Sequence, residues 1–143
     1  MPSPGDGAMA GRRLFTIGAV LAGLAVALGA FGTHALESRV PSGRVATWET
    51  GVRYHLVHAL ALLALGLAQA RWAAGGLGRA GTLIAVGTVD FAGSRYRRVL
   101  MDTPFLGALT PIGGVLIILG WALAAWSVAR PSPPPTPEPR GSP

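Results

Sequence analysis

Twenty-three consecutive residues, 14–36, carry no Asp, Glu, Lys or Arg. As a helix that run is about 34 Å long, and about 20 apolar residues suffice to cross the hydrocarbon core of a bilayer. A soluble chain of 143 residues has one small core and cannot hide such a segment together with others like it. Only 13% of the residues are charged, half are hydrophobic, and the mean hydropathy is +0.47. Soluble domains carry about 25% charge, so the sequence describes an integral membrane protein.

Three further stretches resemble the first. The spans are expected at about 14–36, 54–71, 77–100 and 104–129, giving an all-α, up-down four-helix membrane bundle. Residues 1–13 and the proline-dense tail 130–143 are expected to be disordered. Between spans one and two, Pro41-Ser42-Gly43 marks a turn. Val45, Trp48, Val52 and Leu56 then recur at helical spacing, which predicts a short interfacial helix with Trp48 and Tyr54 as headgroup-level anchors. The third span is the least regular, because Asp90 interrupts it and Arg95, Arg97 and Arg98 follow. Arginines near its far end can snorkel to the headgroups. Arg12-Arg13-Leu14-Phe15 resembles the core of a twin-arginine export signal, but the apolar run is longer than that of a removable signal and is expected to stay as a span.

The net charge of +6 comes from arginines at the ends of apolar stretches, where membrane proteins place them, so a nucleic-acid partner is not indicated. The absence of cysteine excludes disulfides, thiolate metal sites and c-type haem attachment. Four spans place both termini on one side. The arginines divide six against six across the membrane, and the weight usually carried by the first helix leans towards cytoplasmic termini.

Small residues recur four apart at Ala19/Gly23, Ala25/Gly29 and Gly66/Ala70. Such pairs let helices approach closely in lipid, within one chain or between protomers. Pro111, followed by Gly113 and Gly114, predicts a kink in span four, since proline removes a backbone donor. His34 and Glu37 end span one; Glu49, Tyr54, His55 and His58 flank the start of span two. An antiparallel connection brings these groups to one membrane face, where imidazole and carboxylate together suit a divalent metal or a proton relay. The competing reading is interfacial hydrogen bonding, with Glu49 paired to Arg53 one helical turn on. Asp90 is the one carboxylate expected deep in a span, where it stays protonated or pairs, with Ser94 and Arg97 on its own face and His58 as an inter-helix partner. The alternative is that span three ends before Asp90 and the acid meets water.

Several segments together resemble a known family. Gly29-Ala30-Phe31-Gly32-Thr33-His34-Ala35-Leu36 resembles its GAFGAHAL signature, and residues 54–63 resemble its YHMYHALALL stretch. Phe91-Ala92-Gly93-Ser94 with Tyr96 resembles FSGSLY, and residues 106–114 with Gly120-Trp121 resemble LGAITPIGG…GW. This is the YgdD/YwdK family, which includes transmembrane protein 256. The resemblance implies a small four-helix protein of the bacterial inner membrane and brings no established activity. Asp90, Arg95, Arg97 and Arg98 stand where the family has apolar residues.

Three functions follow from these features: a small scaffold or accessory protein packed against itself or another membrane protein; an oligomeric transporter of a small solute, ion or proton; and a metal-dependent membrane enzyme using His34, His55 and His58. The first is preferred and a non-enzyme is preferred to an enzyme. No cofactor is specified; a divalent metal is the one the histidines would accept.

Overall fold

The computed structural model describes residues 4–72, 76–101 and 110–129. They form α1 (Pro4–Phe31), continued by a π-helical segment (Gly32–Leu36), then α2 (Ser42–Trp72), α3 (Leu77–Met101) and α4 (Thr110–Ala129). The chain turns after α1 on hydrogen bonds from the Arg39 and Val40 amides to the Leu36 carbonyl (2.9 and 3.0 Å). It restarts as the Arg44 and Val45 amides bond the Pro41 carbonyl.

Two boundaries differ from those the sequence predicts. Helix α1 begins at Pro4 rather than near residue 14, so the expected disordered terminus is helical from there. Proline at a helix start costs no hydrogen bond, because the first amides have no intrahelical acceptor. The expected interfacial helix exists but is fused to span two, and α2 runs unbroken for 31 residues. The kink expected at Pro111 turns on the carbonyl four residues before it and lies outside the described residues. Residues 102–109, which include the expected start of span four, and the tail 130–143 lie outside the described residues.

Contacts along the helices fix their directions. A Cβ placed on Gly66 would lie 2.7 Å from the Gly11 carbonyl oxygen, and one on Gly18 would lie 2.8 Å from that of Ala59. Moving up α1 therefore means moving down α2. Gly51 faces Tyr96 near one end of α2 and Gln69 faces Gly78 near the other, so α2 and α3 are also antiparallel. Gly113 approaches Gly87, and Gly120 approaches Ala80 and Ile84, which makes α4 antiparallel to α3. The result is an all-α, up-down bundle. Its core gathers Leu14 and Leu21 of α1, Ala59, Leu62 and Leu65 of α2, Leu77, Ala80 and Ile84 of α3, and Ala124 of α4.

Much of the surface is apolar. Val26, Leu67, Ile118 and Trp126 are each at least 60% exposed, and large exposed hydrophobics occur on every helix. In water such a surface would aggregate; in lipid it is the expected exterior. Three helices are long and apolar enough to cross a membrane, those ending at Leu36, Trp72 and Ala129. Helix α3 carries more charge, yet its 25 residues extend about 37 Å between two such helices. It buries Ala80, Ile84, Gly87, Phe91 and Ser94 against them.

Candidate functional site

The polar side chains singled out in the sequence divide into two groups. His34, Glu37 and Glu49 are exposed, whereas His55 and His58 are buried at 6% and 7% exposure. Among the described residues no three His, Asp or Glu side chains come together in a way that could hold a metal ion. The shared cluster of three histidines and two glutamates is therefore not formed. The reason is rotational: His55 and His58 turn into the bundle, while His34 and Glu37 occupy the outer side of the π-helical end of α1 and its turn.

What gathers instead is a histidine–aromatic cluster between α1, α2 and α3. Trp48, expected at the headgroups, is 1% exposed. Its indole lies directly on Gly32, where a Cβ would come within 2.6 Å of Cδ1, and its Nε1–H donates to the Leu28 carbonyl at 2.8 Å. Phe31 and Tyr96 flank it at centroid distances of 5.6 and 4.5 Å. Gly51, one turn along α2, leaves room for the Tyr96 ring at 3.0 Å. The Tyr96 hydroxyl shares a 3.2 Å hydrogen bond with Nδ1 of His55, and His55 Nε2 is buried without a partner.

His58 is engaged separately. Its Nδ1–H donates to the Tyr54 carbonyl at 2.7 Å, and its ring stacks on Tyr54 at 5.9 Å. Tyr54 itself is half exposed and touches Phe91, while the His58 ring reaches Trp121 of α4 at 6.4 Å. Arg95 lies 4.5 Å over the Phe91 ring, which gives its charge a π-face inside an apolar environment. The buried hydroxyls of Thr88 and Ser94 donate to the Ile84 and Phe91 carbonyls of their own helix.

Asp90 is half buried, and its Oδ2 has no hydrogen-bond partner. The expected partnership with His58 is not made: His58 Nδ1 bonds the Tyr54 carbonyl, and Asp90 Oδ2 has no partner. Oδ2 lies instead where α3 and α4 meet, 2.9 Å from the position a Gly113 Cβ would take. Gly113 is thus one of the closest helix contacts, whereas Gly114 has only Phe91 at 4.0 Å.

Of the glycines expected at helix contacts, Gly66 makes one and Gly29 has Val52 at 3.4 Å. Gly23 has nothing within 4 Å and is exposed. The close contacts recur seven apart: Gly11, Gly18 and Ala25 on α1, Ala59 and Gly66 on α2, Ala80 and Gly87 on α3, and Gly113 and Gly120 on α4; of these, sequence reasoning missed Gly11, Gly18, Ala59, Ala80, Gly87 and Gly120. A seven-residue period keeps one face of a helix on its neighbour, and it is visible in the sequence once that spacing is sought.

Comparison with known proteins agrees with this architecture. A family model described as protein of unknown function (DUF423) matches residues 28–114, a segment that contains the whole histidine–aromatic cluster. UPF0382 membrane protein YwdK of Bacillus subtilis (strain 168) is 44% identical over 108 residues, which is 75% of this chain and 88% of that protein. UPF0382 membrane protein SAB0533 of Staphylococcus aureus (strain bovine RF122 / ET3-1) is 41% identical over 112 residues, 78% of this chain and 91% of that protein. No solved structure matches.

Proposed function

The chain belongs to the DUF423 family of membrane proteins of unknown function, and on that premise we propose that it is a small scaffold or accessory protein of the bacterial inner membrane. It works by packing a helix face against a second copy or another membrane protein, with both termini in the cytoplasm. The observation that carries this reading is the open face of α1. Gly11, Gly18 and Ala25 are covered by the bundle, but Ala19, Gly23 and Ala27 form a second small-residue face that is exposed, with open space before Gly23. In lipid, where apolar surface alone does not drive association, such a face is what lets another helix approach closely.

The chain has no cysteine, so a single one introduced at Ala19 reports on association directly. Oxidation of membranes should yield a disulfide-linked dimer or a mixed adduct, and adding Gly23→Leu should abolish it. The same change should alter the stability of the bundle by less than about 0.5 kcal/mol, since nothing lies in front of Gly23. Cross-linking that persists with Gly23→Leu would remove this face from the assembly.

One observation favours a second reading, an oligomeric transporter of a small solute, ion or proton. The Asp90 carboxylate sits in the middle of α3 with a buried oxygen that no donor serves, and intramembrane acids mark transport pathways. Flux into proteoliposomes should then disappear in Asp90→Asn; flux that continues unchanged would discard Asp90 as the carrier of this reading.

A further inference from the structure

The seam between α1 and α2 opens to the outside at one end. Gly11 and Gly66 hold the two backbones so close that no side chain fits between them. The flanking Phe15 and Leu67 then wall a groove of about 200 Å³ that also reaches Arg12. Leu67 is 62% exposed, so the groove faces lipid rather than the core. Arg71 is one turn beyond Leu67 on the same face of α2, and both Arg12 and Arg71 are exposed. The apolar slot thus has Arg12 in its lining and Arg71 one turn beyond its wall on the other helix.

Depth is fixed by the neighbours. Trp72 is 61% exposed at the end of α2, and interfacial tryptophan and arginine mark the headgroup level. Arg13 and Arg79 lie at the same end of the bundle, which makes it cationic. The slot therefore lies directly below the phosphates of the adjoining leaflet.

We propose that this groove is a binding site for one anionic phospholipid, whose phosphate is held between Arg12 and Arg71 and whose acyl chain lies on Gly11 and Gly66 between Phe15 and Leu67. Guanidinium is suited to phosphate through its planar fork of donors. The missing side chains at Gly11 and Gly66 close the seam on backbone atoms and leave a low floor to the groove between Phe15 and Leu67. The site needs both parts: a free phosphate would leave the slot unfilled, and a zwitterionic lipid would bring an ammonium towards the two arginines. The inference stands independently of the scaffold reading, since it requires only the family's membrane location.

The test uses the full chain released in mild detergent and titrated with phosphatidylglycerol by native mass spectrometry. Wild type should bind one phosphatidylglycerol more tightly than phosphatidylcholine of the same acyl chains. The double variant Arg12→Gln/Arg71→Gln should bind it about thirtyfold more weakly, the loss expected for two arginines at an anionic lipid surface. The matched variant Arg97→Gln/Arg98→Gln, at the other end of α3, should bind as wild type does. Equal binding of the two lipids, equal loss in both double variants, or full competition by millimolar glycerol phosphate would overturn the proposal. A second measurement needs no variant: phosphatidylglycerol with a photoreactive diazirine on its acyl chain should label peptides containing Phe15 or Leu67. Labelling confined to other helices would overturn it equally.

Discussion

The α1–α2 seam is closed by opposite means at its two ends. At the Gly11–Gly66 and Gly18–Ala59 contacts the helices meet because side chains are missing, and backbone atoms pack directly on backbone atoms. At the other end, Trp48 of α2 fills the gap over Gly32, sits between Phe31 and Tyr96, and hydrogen-bonds the Leu28 carbonyl. The first contact tolerates no added volume. The second depends on one large side chain with a polar handle. The first solves the problem that lipid gives helices no hydrophobic reason to associate.

The comparison breaks most visibly at the glycine end. Gly66→Leu places a branched side chain where a single Cβ already meets Gly11 and Phe15 backbone atoms at under 3 Å. The bundle should lose about 3 kcal/mol or fail to assemble, read by reversible unfolding in bicelles. A loss below about 1 kcal/mol would mean that the helices slide apart at little cost. Trp48→Phe tests the other end more gently. It keeps an aromatic ring over Gly32 but leaves the Leu28 carbonyl without the indole donor. A loss of about 1 kcal/mol is expected, and an unchanged stability would assign the cluster's value to ring packing alone.

Much of the architecture was legible because it follows from length and charge. The charge-free run 14–36 and the apolar stretches of α2 and α4 identified themselves, and the resemblance placed the histidine motifs in their order. Side-chain direction was less accessible. Gly18 and Gly23 are five residues apart, which rotates them by about 140° around the helix, so only one can lie in the seam. Small pairs four apart select Gly23; the structure uses Gly18, whose partners recur at seven. Trp48 was misplaced for a similar reason. A tryptophan beside polar residues resembles an interfacial anchor, and only the tertiary position of Gly32 and Tyr96 explains its burial. Tyr96, the hydrogen-bond partner of His55, lies among arginines in the least regular span; the resemblance to FSGSLY includes it, but nothing in the sequence pairs it with His55.

The unbroken length of α2 has a consequence for where water ends. Its 31 residues are about 46 Å long. Confining them to a 30 Å hydrocarbon layer would demand a tilt of about 49°, steeper than spanning helices adopt. With Trp72 at one boundary, the other falls about 29 Å away, near Arg53. The first three turns of α2 then project beyond the hydrocarbon, carrying Trp48 and its cluster with Leu36 and Val99 into the headgroup layer and the water beyond. That cap is held by expulsion of water, and the seam beneath it by close fit alone. Urea added to intact membranes would therefore loosen the cap and leave the glycine contacts standing, a molecule with two separate melting behaviours along a single helix.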